Sequence, residues 1–167
     1  SSEDHDWQTH ETEAERLPKF LGTYPGGTTR AQTVLNGLKA LATHARDSDW
    51  VLVHDAVRPC VRLSDIDTLV NTVEAGNEGG LLALPVADTV KRAGKENQVV
   101  ETVPRKDLWR ALTPQIFRIG ALRMALEKSL SRGADVTDEA AAIEAVGGRP
   151  KLVAGHADNI KITLPGD

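Results

Sequence analysis

The sequence has a single cysteine, no long apolar run and no surplus of positive charge. Cys60 alone forms neither an internal disulfide nor a cysteine-based zinc cage, and its isolation fits a reducing compartment. Placed after Pro59, it reads as a small buried hydrophobe. No stretch approaches the roughly 18 residues of a membrane span and no signal-peptide pattern opens the chain, so no membrane partner and a cytoplasmic location are expected. Lys and Arg total 20 against 24 Asp and Glu, a formal net charge of −4. That lacks the clustered basic excess of a nucleic-acid or anionic-membrane surface. The five histidines follow no metal-ligand spacing. No G-x-G-x-x-G follows a strand, which weighs against a dinucleotide dehydrogenase. What is present is 167 residues, 40% hydrophobic and 26% charged, the composition of one ordinary globular domain over 1–167.

The stretch Val51 to Pro59 organises the rest. It begins as an apolar, β-branched run of the kind that fills the buried centre of a parallel sheet, and it ends in a charged turn. Ligands of open α/β sheets sit beyond the carboxyl ends of the strands, so Asp55 and Arg58 are candidate functional residues. The alternative is that they only pair with each other in the turn.

Residues 1–16 carry Glu3, Asp4, Asp6, Glu11, Glu13 and Glu15 around Trp7 and read as a solvated segment or short surface helix. Lys19–Thr23 reads as a short edge strand. Apolar positions from Ala31 to Ala42 recur at helical spacing, predicting an amphipathic helix over 29–45. Gly26-Gly27-Thr28-Thr29 precedes it, either as a tight turn or as a loop whose free N–H groups face an anion. Arg30 and Thr33 would face the same mouth. Ser64 and Asp67 suggest a capping box ahead of a second helix, and Leu81–Val86 reads as a buried strand. Strand, helix, strand makes a βαβ unit and a mostly parallel sheet.

Residues 87–92 and 98–103 alternate polar and apolar around a turn, predicting a hairpin arm over about 87–108 with little core of its own. Such an arm needs a partner surface, most simply a second copy of the chain. Trp109 reads as a core anchor. A helix over 120–132 follows, then one capped at Thr137 with Asp138 and Glu139 as dipole partners and Gly147 as its stop. Lys151–Ala154 and Asn159–Thr163 read as the last strands. Lys161 points either to solvent or, from a sheet end, to a phosphate.

Five pieces in this order, Val51–Pro59, Leu82–Lys91, Trp109–Gln115, Val136–Ala140 and Asp158–Thr163, resemble the 2-C-methyl-D-erythritol 4-phosphate cytidylyltransferase family from about Gly26 to the end. The resemblance implies a Rossmann-like nucleotidyltransferase sheet with β-arms that embrace in a homodimer. It implies transfer of a cytidylyl group from CTP to methylerythritol phosphate, with release of pyrophosphate, in non-mevalonate isoprenoid biosynthesis. On the same basis Gly27, Thr33 and Ala56 would lie against the cytidine, with Asp55 and Arg58 at the substrate mouth. Thr89 and Arg105 would hold methylerythritol phosphate in the partner's site, and Lys161 would orient the attacking phosphate. Thr28 departs from the family, which usually has an acid there. The family's first strand and its glycine-rich triphosphate loop have no counterpart, which implies a piece of a longer enzyme.

The chemistry suits the residue types. A phosphate monoester attacking an α-phosphorus is already an anion, so the site needs positioning and charge neutralisation rather than a general base. Arg58, Arg105, Lys161 and Mg²⁺ would supply these, with Asp55 touching the metal directly or through water. A sister enzyme using ribitol 5-phosphate, or a non-catalytic dimerising remnant that binds a phosphorylated ligand, are the competing readings.

Overall fold

In the computed structural model residues 5–76, 78–164 and 166 are described. In chain order the elements are helices α1 (His5–Glu15) and α2 (Arg30–Ala40), strand β1 (Trp50–Val53), helix α3 (Leu63–Glu74) and strands β2 (Gly79–Pro85), β3 (Val90–Ala93), β4 (Val99–Val103) and β5 (Trp109–Arg118). Helices α4 (Ile119–Ser131) and α5 (Glu139–Glu144) and strand β6 (Lys151–Ala154) complete them. The α/β class expected from the sequence is the observed one. Contacts gather the chain into two units, residues up to Val51 with Arg118–Gly148, and Leu52–Phe117 with residues from Arg149 onward.

The first unit is helical. Ala31, Leu35 and Leu38 form the buried stripe of α2, which packs against α4, and α4 packs in turn against α5. Leu122, Ala125 and Leu126 of α4 are fully enclosed, each leucine contributing roughly 1.5–3 kcal/mol through burial. Thr29 caps α2 by accepting a hydrogen bond from the Gln32 N–H at 3.1 Å. The regular helix is shorter than the periodicity suggests, giving way after Ala40 to a 3₁₀ turn over Leu41–Thr43.

Two expectations change in this unit, the cap of α5 and the strand at Lys19–Thr23. Asp138, not Thr137, caps α5, its carboxylate accepting from the Ala141 N–H at 2.8 Å; its extended backbone suits it to the cap at least as well as a threonine. Glu139 stands in the first turn of α5 as expected, and it is also buried and bound to Arg30. Lys19–Thr23 forms no strand. The Phe20 N–H turns back to the Leu17 carbonyl, and the Phe20 ring lies 6.3 Å from that of Trp7. The acidic N-terminal segment forms α1 from His5 on, with Glu13 and Glu15 exposed; Glu3, Asp4 and the side chain of Asp6 lie outside the described residues.

The second unit holds a four-stranded sheet in the order β1-β5-β2-β6, to which β1 contributes from Leu52. β2 pairs with β6 in parallel and with β5 antiparallel. The sheet is therefore mixed where the sequence suggested a mostly parallel one. A βαβ connection leaves open whether a later strand slots between its two strands, and β5 does. β2 is the buried strand, with Leu81, Leu82 and Ala83 enclosed, and α3, whose Leu69 and Val73 are buried, packs against it. Gly79 is required opposite Phe117, because a Cβ there would meet the ring at 2.2 Å. β1 is instead an edge strand of this sheet, and Leu52 is exposed.

Helix α3 begins a residue before the expected capping box, with Arg62 at its N-cap and no side-chain cap bond. The expected hairpin is present as a separate two-stranded sheet, β3 against β4, pairing Val90 with Val103 and Lys91 with Thr102. Trp109 and Cys60 are exposed rather than buried. Residues 159–163 are not a strand. They are held largely by side chains, and that arrangement builds the site.

Candidate functional site

β1 ends at Val53 and releases a tight turn, closed by the Arg58 N–H donating to the Asp55 carbonyl at 2.9 Å. The Asp55 N–H in turn donates to Oγ1 of Thr113, on β5, at 3.0 Å. Lys161 Nζ stands 3.1 Å from Asp55 Oδ2, whereas Arg58 Nε is 4.0 Å from the same oxygen. Arg58 directs Nη1 to the Asn159 carbonyl at 2.8 Å. The side chains of Asp55 and Arg58 are only 12% and 11% exposed, so their charges interact in partial shelter from water. Asp55 and Arg58 do approach each other, but the closer charge on Asp55 comes from a distant loop.

That loop, residues 155–162, is fastened at several points. Buried Asp65 accepts from His156 Nδ1 at 2.7 Å and from the His156 N–H at 3.3 Å. Arg62 pairs with Asp158, and its hydrogen bond holds the Asp158 carboxyl below the usual aspartate range. Asn159, itself buried, donates Nδ2 to the Thr113 carbonyl at 2.9 Å, and the Ile162 N–H reaches the Val57 carbonyl at 2.9 Å. Lys161 is thus delivered on a segment without ladder bonds but with fixed ends.

Arg58, Arg110, Asn159 and Lys161 line a cavity of about 450 Å³ whose remaining walls are apolar, Leu84 and Ile160 among them. No acid lines it. Three cations against an apolar wall favour a compact anion with a carbon skeleton.

Other expected site residues are elsewhere. Ala56 is exposed in the turn itself, and Thr89 is exposed just before β3. Arg105 donates to the Ala87 carbonyl, tying together the two sides of the hairpin's base. Neither Thr89 nor Arg105 lines the cavity. Gly27 and Thr33 belong to the first unit, where the Gly27 N–H donates to Thr33 Oγ1 at 2.9 Å and that hydroxyl donates to the Thr29 carbonyl at 3.0 Å. A Cβ at Gly27 would strike Gln32 at 2.3 Å. In the same unit Arg30 binds Glu139 through both oxygens, at 2.6 and 3.1 Å. Among the described residues no three His, Cys, Asp or Glu gather to hold a metal. Asp55 offers one carboxylate, which suits a cation held mainly by phosphate oxygens and water.

Sequence reasoning missed His54, Thr113, Asn159 and Arg110 as parts of this arrangement. The signal was polar residues inside otherwise apolar segments, Thr113 on a strand and Asn159 beside Ile160, which need buried partners.

A profile of the 2-C-methyl-D-erythritol 4-phosphate cytidylyltransferase family matches residues 9–167. The chain belongs to that family. A cytidylyltransferase of this name from Azoarcus sp. strain BH72 is 53% identical over 164 residues, covering 98% of this chain and 67% of the relative. One from Hahella chejuensis is 54% identical over 142 residues, 85% of this chain and 59% of the relative. The crystal structure of the Francisella tularensis cytidylyltransferase aligns with a TM-score of 0.77 at 41% identity, over 83% of this chain and 64% of that one. That of the 4-diphosphocytidyl-2C-methyl-D-erythritol synthase from Anaerococcus prevotii gives 0.82 at 29%, over 96% and 73%. The chain thus spans about three fifths to three quarters of the length of these family members.

Proposed function

We propose that the protein of which this chain is part joins CTP to 2-C-methyl-D-erythritol 4-phosphate, giving 4-diphosphocytidyl-2-C-methyl-D-erythritol and pyrophosphate, in non-mevalonate isoprenoid biosynthesis in the cytoplasm. The observation that carries this reading is the meeting of Lys161 and Arg58 on Asp55 beside a cavity lined, among the described residues, by three cations and no acid. The acceptor's phosphate is the attacking group. It arrives as an anion, so the protein's task is to aim it and to offset charge as the pentacovalent centre forms.

Lys161 and Arg58 orient the attacking phosphate, and Asp55 keeps both cations aimed until it arrives. Gly27, Thr33 and Ala56 contact the cytidine. Asp55 would hold a bound Mg²⁺ directly or through water, and the ion would supply charge neutralisation on the triphosphate. Thr89 and Arg105 serve the site of a second subunit, reached through the arm over about 87–108. Support for that dimer comes from Val99 and Val100, which stand 63% and 66% exposed on a hairpin with almost no core. An apolar face of this kind is satisfied by a partner surface.

The test is turnover by the full-length protein with CTP and each of two acceptors, methylerythritol phosphate and ribitol 5-phosphate. The expected result is a kcat/KM at least about 100-fold higher for methylerythritol phosphate, a difference of some 3 kcal/mol in transition-state binding. Equal rates, or a preference for ribitol 5-phosphate, would move the protein to the sister activity.

A further inference from the structure

The residue that opens the turn, His54, has no role in the reaction described so far. Its ring bridges three elements of the site. Nε2 lies 3.0 Å from the Arg58 carbonyl, and Nδ1 lies 3.0 Å from Thr113 Oγ1. The same Thr113 oxygen accepts the Asp55 N–H at 3.0 Å. One imidazole therefore reaches both ends of the Asp55–Arg58 turn, directly at Arg58 and through Thr113 at Asp55.

The hydrogens in this chain can be assigned. A backbone carbonyl only accepts, so Nε2 must carry the proton that meets Arg58. Thr113 is buried, and its hydroxyl already accepts from Asp55, so its one hydrogen needs a protein acceptor. The lone pair on Nδ1 is that acceptor. The opposite tautomer would set a lone pair against the Arg58 carbonyl and a second donor against Thr113, leaving the buried hydroxyl hydrogen with nowhere to go. Only the Nε2–H form satisfies every group along the path from the Asp55 N–H through Thr113 and His54 to the Arg58 carbonyl.

We infer that His54 is a positioning residue, a neutral imidazole protonated on Nε2 that locks the Asp55–Arg58 turn and so aims both side chains. It transfers no proton to substrate. This rests on the reading of Asp55 and Arg58 given above, but the tautomer itself does not.

Two measurements on the full-length protein test it. Two-bond ¹H–¹⁵N correlation spectra of histidine-labelled protein at neutral pH, assigned with His54→Ala, should show Nε2 protonated and Nδ1 unprotonated. A reversed tautomer, or a ring exchanging freely between the two, overturns the inference whatever the activity. In kinetics, His54→Ala should lower kcat/KM about tenfold, as a loosened reactive turn costs positioning. His54→Gln, which keeps a donor near Nε2, should recover part of that loss, a recovery a mere packing role would not give. If Asp55→Ala abolishes turnover while His54→Ala leaves it unchanged, the inference falls and the function stands. If neither variant matters, it is the functional reading of this turn that fails.

Discussion

Asp55 is nearer to Lys161, at 3.1 Å, than to Arg58 three residues along the chain, at 4.0 Å. The turn that presents Asp55 supplies one of its charged partners, Arg58, and the loop at 155–162 supplies the nearer one, Lys161. Arg58 from the turn and Lys161 from the loop both line the cavity.

Replacing Lys161 is the first prediction. Lys161→Ala should lower kcat/KM of the full-length protein about 100-fold, the usual cost of losing one preorganised charge on a transferring phosphoryl group. Steady-state kinetics with both substrates varied would check it. Unchanged constants would return Lys161 to a solvated surface role.

The proposed sharing of the site between two subunits makes a second prediction. Arg105→Ala and Asp55→Ala proteins should each be inactive, yet mixing equal amounts with subunit exchange should restore about a quarter of wild-type activity, because half the dimers are mixed and each has one intact site. No recovery, with exchange proven by mass, would place Thr89 and Arg105 outside the partner's site.

Arg30 and Glu139 supply a third. The Glu139 side chain is 1% exposed and that of Arg30 33%, so the two truncations are unequal. Arg30→Ala strands a buried carboxylate and should cost about 3 kcal/mol or more, whereas Glu139→Ala leaves a guanidinium that reaches water and should cost about half as much. Urea unfolding midpoints would rank them, and equal losses would contradict the assignment.

Asp158 gives a prediction in pH. The hydrogen bond from Arg62 lowers its folded value below the unfolded one. The pair's contribution is therefore in place above the ordinary carboxylate range and fades as pH falls through it. Both side chains are about half exposed, which keeps the contribution small. Carboxyl NMR should show Asp158 titrating below the ordinary value of about 3.9, and returning toward it in Arg62→Ala.

The parts of the molecule that were legible in the sequence are those governed by local rules. The α2 stripe, the buried β2 and the β3–β4 hairpin all follow from periodicity and turn chemistry. What was not legible depends on distant partners. Nothing local says that β5 separates β1 from β2, and so nothing local makes β1 an edge. The segment from Asn159 to Thr163 alternates like a strand, yet Asn159 anchors it to Thr113 through its side chain. Asp55 and Arg58 were visible as charges at a strand end. That Lys161, and not Arg58, is the nearer partner of Asp55 required the fold.

The most direct test of the account is pyrophosphate release by the full-length protein supplied with CTP and Mg²⁺, with and without 2-C-methyl-D-erythritol 4-phosphate. The account predicts release only when the acceptor is present, one pyrophosphate for each 4-diphosphocytidyl-2-C-methyl-D-erythritol identified by mass. Release without acceptor, or none with it, would contradict the assignment of a cytidylyl transfer to this site.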